Sequence, residues 1–330
     1  MRATCNTLAV AVFWCQAGLA QMAPPTILEI DIESFVAYYD DVPDVSKRAT
    51  DPTATTAVLG RNFAASVLIA DIVAVNGQPA KGTFVYRALT LNLRAAPTLG
   101  QGIADILRNN INNQAFEILK TDGTPIGTVM TSGLGVGSAP PGAPLAVTQG
   151  NNAIVGGTGA FLGARGQVGQ TVQTASARLA SMTEDPINRR MYGGGKARFA
   201  LHVIPMFRPD VVSISGGPAV FHADFSPVTA ANPAKAKEVL IARASGLGPT
   251  RPGINPGQPF PLDAGQEVNS PVVVSVNGQS AEMINAIGWP GLVDTYRVDF
   301  RVPDGITTGM AALQLTAAWS AGPEVKIAVQ

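Results

Sequence analysis

A chain of 330 residues is long enough to build two separate cores. Its 23 basic side chains balance 23 acidic ones and charged residues make up only 14% of the whole, which argues against nucleic acid or an anionic membrane surface as a partner. Two histidines and two cysteines leave little from which to assemble a zinc site, a Ser-His-Asp triad or a disulfide framework, so neither a metal nor a cofactor is expected.

The first residues, "MRATCNTLAVAVFWCQAGLAQ", set one arginine before an apolar run and place small Gly18 and Ala20 ahead of Gln21. This reads as a secretory signal over 1–20 with cleavage after Ala20, which sends the mature chain to the periplasm, cell surface or medium. Cys5 and Cys15 both fall within it, so the mature protein is expected to carry no thiol. No later stretch approaches the ~20 apolar residues of a spanning helix.

Beyond the signal, alternation with period two dominates. Glu29 and Glu33 alternate with Ile30 and Ile32, as on a strand with one solvated face. "FVAYYDDVPD" follows, with Asp40 and Asp41 directly after the aromatic pair Tyr38 and Tyr39. Adjacent strand residues face opposite ways, so at most one of the two aspartates points to the buried side; the alternative is a polar strand end entering a loop at Pro43. In "TFVYRALTLNLR", Leu89, Leu91 and Leu93 oppose Thr90, Asn92 and Arg94, which makes a half-buried strand. "GIADILRNNINN" is the one stretch that reads helically, through Ile103, Ile106, Leu107 and Ile111, as an insert between strands.

"NNAIVGGTGAFLGARGQVGQTV", residues 151–172, concentrates six glycines. It lacks the order of a phosphate-binding loop, and Gly163-Ala164-Arg165-Gly166 breaks the helix that such a loop needs. The simpler reading is a hairpin between Ala153–Val155 and Gln167–Val172. Gly156, Gly157, Thr158, Gly159 and Arg165 are then structural turn residues, and positive φ is expected at the three glycines. Further turns are expected at Asn76-Gly77, Asp122-Gly123, Asn277-Gly278 and Asp304-Gly305. "PMFRPDVVSISGGPA" punctuates the chain and places a boundary near Asp210, giving units at 27–208 and 212–330. His202 and His222 lie in apolar runs and read as ordinary strand positions. In the second unit Tyr296, Val298, Phe300 and Val302 oppose Arg297, Asp299 and Arg301, as in a strand.

The motif "AIVGGTGAFLGARGQV", with the preceding "FEILKTDGTPIGTVMTSG", resembles the allene oxide cyclase/dirigent barrel superfamily. The resemblance implies an eight-stranded antiparallel barrel with a central pocket for a hydrophobic or aromatic small molecule, often assembled as a trimer. It also implies a pocket aspartate, for which Asp40 or Asp41 stands in this chain as the catalytic candidate, with Tyr38 and Tyr86 as candidate pocket aromatics. The second half carries Ser245-Gly246-Leu247-Gly248-Pro249-Thr250, the "VNGQSA" hairpin, Pro290-Gly291-Leu292 and Arg301-Val302-Pro303-Asp304-Gly305. These resemble the Solibacter-type C-terminal domain of secreted bacterial proteins, which implies an immunoglobulin-like sandwich without an established activity.

Three functions are compatible with this reading. The barrel binds a small hydrophobic or aromatic molecule beside an accessory interaction sandwich, or it is a dirigent-like protein or a cyclase or isomerase working through a pocket carboxylate. In the third, the barrel is filled by its own side chains and the protein is a non-catalytic surface or structural interaction protein. The composition does not decide whether the chain is an enzyme.

Overall fold

A computed structural model describes residues 25–39, 63–92, 108–134, 139 and 141–330, and everything below concerns these. The signal reading of 1–20, the candidates Asp40 and Asp41, and the first half of the expected helix therefore lie outside the described residues.

The first half is all β. Its strands are β1 (Thr26–Tyr39), β2 (Phe63–Val75), β3 (Gln78–Asn92), β4 (Arg108–Leu119), β5 (Pro125–Leu134), β6 (Gln149–Gly159), β7 (Arg165–Ala175), β8 (Arg178–Ser181) and β9 (Gly195–Ile204). Sequential antiparallel pairing runs from β1 through β7, then to β9, and β9 pairs back with β1, which closes an eight-stranded barrel without a free edge. The short β8 lies outside this ring, parallel to the last residues of β1. Period-two alternation sends Leu28, Ile30 and Ile32 inward and leaves Glu29, Asp31 and Glu33 on the outer face, where Arg198 pairs with Glu29 and Asp31 and Lys196 with Glu33.

The expected helix is overturned where it can be seen. Residues 108–113 belong to β4, whose neighbours β3 and β5 satisfy its backbone on both sides. Apolar spacing favoured a helix, but Asn109, Asn110, Asn112 and Asn113 are weak helix formers, and the alternation of Asn110, Asn112, Gln114, Phe116 and Ile118 fits one face of a strand.

β6 and β7 form the hairpin of the glycine cluster. Its turn is Ala160–Ala164, and positive φ occurs at Gly159 and Gly163 but not at Gly156 or Gly157, which lie within β6. Gly157 is required by close approach instead, because a Cβ there would strike the carbonyl oxygens of Phe161 and Thr128. Arg165 donates from Nη1 to the carbonyls of Val155 (3.3 Å) and Ala164 (3.1 Å), which ties the two strands together. Asn76-Gly77 and Asn277-Gly278 both have positive φ at each residue, as the tight hairpin turn requires.

Barrel strands end at Ile204, and the second sheet begins at Asp210. Its main antiparallel path runs Val239–Ser245, Tyr296–Arg301, Gln279–Gly288, Val272–Val276, Gly309–Ala317 and Val325–Val329. The sheet curls around a core of its own that includes Leu240, Val274, Val298, Phe300 and Leu313. His222 stands just past the two-residue strand Val220–Phe221, where it is bonded to Glu238, so it is not an ordinary strand position.

The two units are docked. Ala318 and Trp319, both at positive φ, form the tip of a hairpin that belongs to the second sheet but packs against the barrel core. Thr26 and Ser320 hydroxyls meet at 3.3 Å, Arg251 donates to the Thr124 hydroxyl at 3.1 Å, and Asn269 donates to the Pro125 carbonyl.

Candidate functional site

The barrel interior changes character along its axis. Near the docked end it is aliphatic, with Leu28, Ile30, Ile72 and Ile118 buried. Its middle is aromatic: Phe84 has its ring centroid 4.9 Å from Phe116 and from Phe199, Phe116 lies 5.4 Å from Phe199, and Phe35 meets Phe84 edge-on at 5.8 Å. These side chains fill the middle of the lumen with protein atoms.

Towards the opposite end the lumen turns polar. Strand register places Leu68, Tyr86, Gln114, Thr131 and Ile154 in one row across β2 to β6, and the Thr131 hydroxyl donates to Gln114 Oε1 at 3.2 Å. One step further the row is Ser66, Ala88, Asn112, Gly133 and Asn152, opposite Tyr39 of β1. Ser66, Asn112 and Asn152 are 2%, 1% and 2% exposed. Asn112 Nδ2 donates to the Tyr86 hydroxyl at 3.1 Å. Among the described residues, Ser66 Oγ, Asn112 Oδ1 and Asn152 Oδ1 have no hydrogen-bond partner. Each buried, unpartnered group costs on the order of 1–3 kcal/mol, and native proteins keep few of them. Here three occur on one ring of the lumen, and all three can accept a hydrogen bond. Such a ring is suited to a molecule that brings donors.

The sequence candidates separate at this point. Tyr86 lies in the lumen, its ring 6.3 Å from Phe84 and its hydroxyl on Asn112. Tyr38 does not share that site. It faces the outside of the barrel, packed with Val36, Ala180 and Ile69 beneath the 176–194 connection, whereas its neighbour Tyr39 packs on the inner core. Burial, followed by the nearby Glu184 carboxylate, pushes the Tyr38 hydroxyl pKa up. Glu184 is itself fully buried and paired with Arg178 at 2.7 Å. The turn residues Gly156, Gly157, Thr158, Gly159 and Arg165 sit at the docked end and contribute nothing to the polar ring.

Sequence reasoning missed Ser66, Gln114, Asn112, Thr131 and Asn152. Polar residues in phase with Phe116 and Ile118 in "NNINNQAFEI" are the signal that could have found the β4 pair, because in-phase polar and apolar side chains share one strand face. Among the described residues no cluster of three or more His, Cys, Asp or Glu could hold a metal ion, and no helix is long and apolar enough to cross a membrane.

Comparison of the chain with protein-family models, with curated proteins and with solved structures finds no match in any of the three.

Proposed function

We propose that this chain is an exported small-molecule-binding protein. Its barrel takes a small aromatic molecule bearing hydrogen-bond donors at the polar end of the lumen, and its second sheet is an immunoglobulin-like sandwich serving as an accessory interaction unit. The reading is carried by the ring of Ser66, Asn112 and Asn152, three nearly fully buried side chains with polar atoms that have no partner among the described residues, above an aromatic floor. The motif resemblance to allene oxide cyclase/dirigent barrels supports the same location, and the apolar start of the sequence supports export. The ligand's ring would rest towards Phe84 and Tyr86 while its donors meet the Ser66, Asn112 and Asn152 oxygens. Binding needs only the groups described at this ring, whereas dirigent-like or cyclase chemistry would draw on a carboxylate, and the candidates Asp40 and Asp41 lie outside the described residues.

Mass spectrometry of small molecules released from the purified exported protein tests this reading. An aromatic compound carrying hydroxyl or amide donors, at about one per chain, is the expected result. Only non-aromatic or donor-free compounds, or nothing, from material purified out of its native medium would count against it.

A second reading, surface interaction without a bound molecule, is favoured by a separate observation. Leu89, Ile111 and Leu134 pair in register across the outer face of β3, β4 and β5 and are 43%, 50% and 38% exposed, with Val85 and Met130 on the same face. An apolar outer face of this kind suits homo-oligomer formation, such as the trimer implied by the barrel resemblance. Light scattering of the full chain and of an Ile111→Lys variant separates a self-associating barrel from a monomer.

A further inference from the structure

A cleft of about 630 Å³ lies where the barrel meets the second unit. Leu28, Phe161 and Val203 line it from the barrel, and Leu247, Phe260 and Ala318 line it from the other side. Two sequence motifs with no role in the lumen meet here: the Gly159–Ala164 turn, and the loop around Gly246 and Gly248, whose positive φ values of 70° and 89° fold it against the Tyr296 hydroxyl. Volume, position between two units and a largely apolar wall are those of a small-molecule site.

Its polar content is specific. Arg208 lines the cleft and donates from Nη2 to the Ala321 carbonyl; among the described residues its buried Nε has no partner and it forms no ion pair. Ser270, 4% exposed, lines the same cleft with a buried hydroxyl that has no partner among the described residues. Asp294 also lines the cleft but is solvent-exposed. A guanidinium without a counter-charge in an apolar surround favours an anion, and the guanidinium fork matches a carboxylate. A neutral hydrocarbon would leave both polar groups unpartnered, and a polyanion would set further charges against apolar walls.

We propose that this cleft binds an apolar carboxylic acid, with its hydrocarbon body between Phe161, Leu247 and Phe260 and its carboxylate on Arg208 and Ser270. The site is separate from the lumen, and the proposal does not depend on the lumen reading.

The test is calorimetric titration of the full chain at neutral pH with decanoate and with 1-decanol. Decanoate is expected to bind once per chain and at least about tenfold more tightly than the alcohol. Arg208→Gln is expected to weaken decanoate by about tenfold and leave decanol unchanged. Because Arg208 also holds the linker to Ala321, Ser270→Ala is the second variant: it removes only a hydroxyl and should weaken decanoate alone. Asn152→Leu, in the lumen, should leave decanoate binding as it was. Absence of decanoate binding, equal affinity for the alcohol, binding of several molecules per chain, insensitivity to both cleft substitutions, or loss on Asn152→Leu would each overturn the proposal.

Discussion

Gly156 and Gly157 are neighbours in β6 with opposite tolerances. A Cβ on Gly156 would meet nothing within 4 Å, whereas one on Gly157 would collide with two backbone carbonyls that cannot move aside without breaking the hairpin. Gly156→Ala should therefore change stability by less than about 0.5 kcal/mol, and Gly157→Ala should lower it by about 1–3 kcal/mol. Urea unfolding of the two variants beside the parent checks the contrast, and equal midpoints would contradict it. The sequence marked this cluster as structural, but it could not tell which glycine answers to φ and which to crowding. That distinction depends on where β5 and the Ala160–Ala164 turn lie in space. Tyr38 and Tyr86 carry the same lesson: two aromatics looked equivalent, yet strand parity turns Tyr86 into the lumen and Tyr38 out beneath Ala180.

At the scale of elements, alternation located strands such as Thr26–Tyr39, Gln78–Asn92 and Tyr296–Arg301, and the Asn-Gly dipeptides located two tight turns, because both signals are local. The start of β4 was misread because its isoleucine spacing outweighed a weaker period-two signal, and pairing with β3 and β5 on both edges decides for the strand. The polar ring shares that cause, since it exists only once five strands are in register.

The loop before the strand Val239–Ser245 holds a pH-sensitive contact. His222 Nδ1 lies 2.6 Å from Glu238 Oε1, and Nε2 lies 3.2 Å from the Asn232 carbonyl. Burial opposes the charged imidazole, but the Glu238 hydrogen bond, the Asn232 carbonyl and the carboxylate charge together raise the His222 pKa above its ordinary 6.5. Burial likewise opposes the charged carboxylate, yet its bonds to His222 and to the Lys235 amide lower the Glu238 pKa below 4.5. The histidine's contribution is fully present below pH 6.5 and is lost as pH rises through its raised folded value. The glutamate's contribution is present above pH 4.5 and is lost as pH falls through its lowered one. Thermal melting should accordingly show greater stability in the mildly acidic range than at higher pH, and His222→Gln should flatten the alkaline side of that profile. An unchanged profile in the variant would remove the pair from the account.

Over the whole molecule, the two units share more than a linker. The Ala318–Trp319 tip enters the barrel core although it belongs to the second sheet, so unfolding of one unit exposes apolar surface of the other. Trp319→Ala should cost about 1–3 kcal/mol and separate the melting of barrel and second sheet into two calorimetric transitions. A single transition with unchanged midpoint would mean that the tip does not couple them.

The central claim is that the lumen's unpartnered oxygens serve a ligand and not the fold. Removing them without changing shape separates the two roles, because replacing a buried unpartnered polar group by an apolar one stabilises the empty protein and removes the bond that a ligand would make. The decisive measurement is the melting temperature of the parent, Ser66→Ala and Asn152→Leu proteins, each without addition and with saturating phenol, benzamide or toluene. The account predicts that both variants melt at or above the parent temperature without addition. It also predicts that phenol and benzamide raise the parent's melting temperature more than toluene does, and that this advantage disappears in the variants. Variants that melt lower than the parent, or that keep the full advantage of phenol and benzamide over toluene, would contradict it.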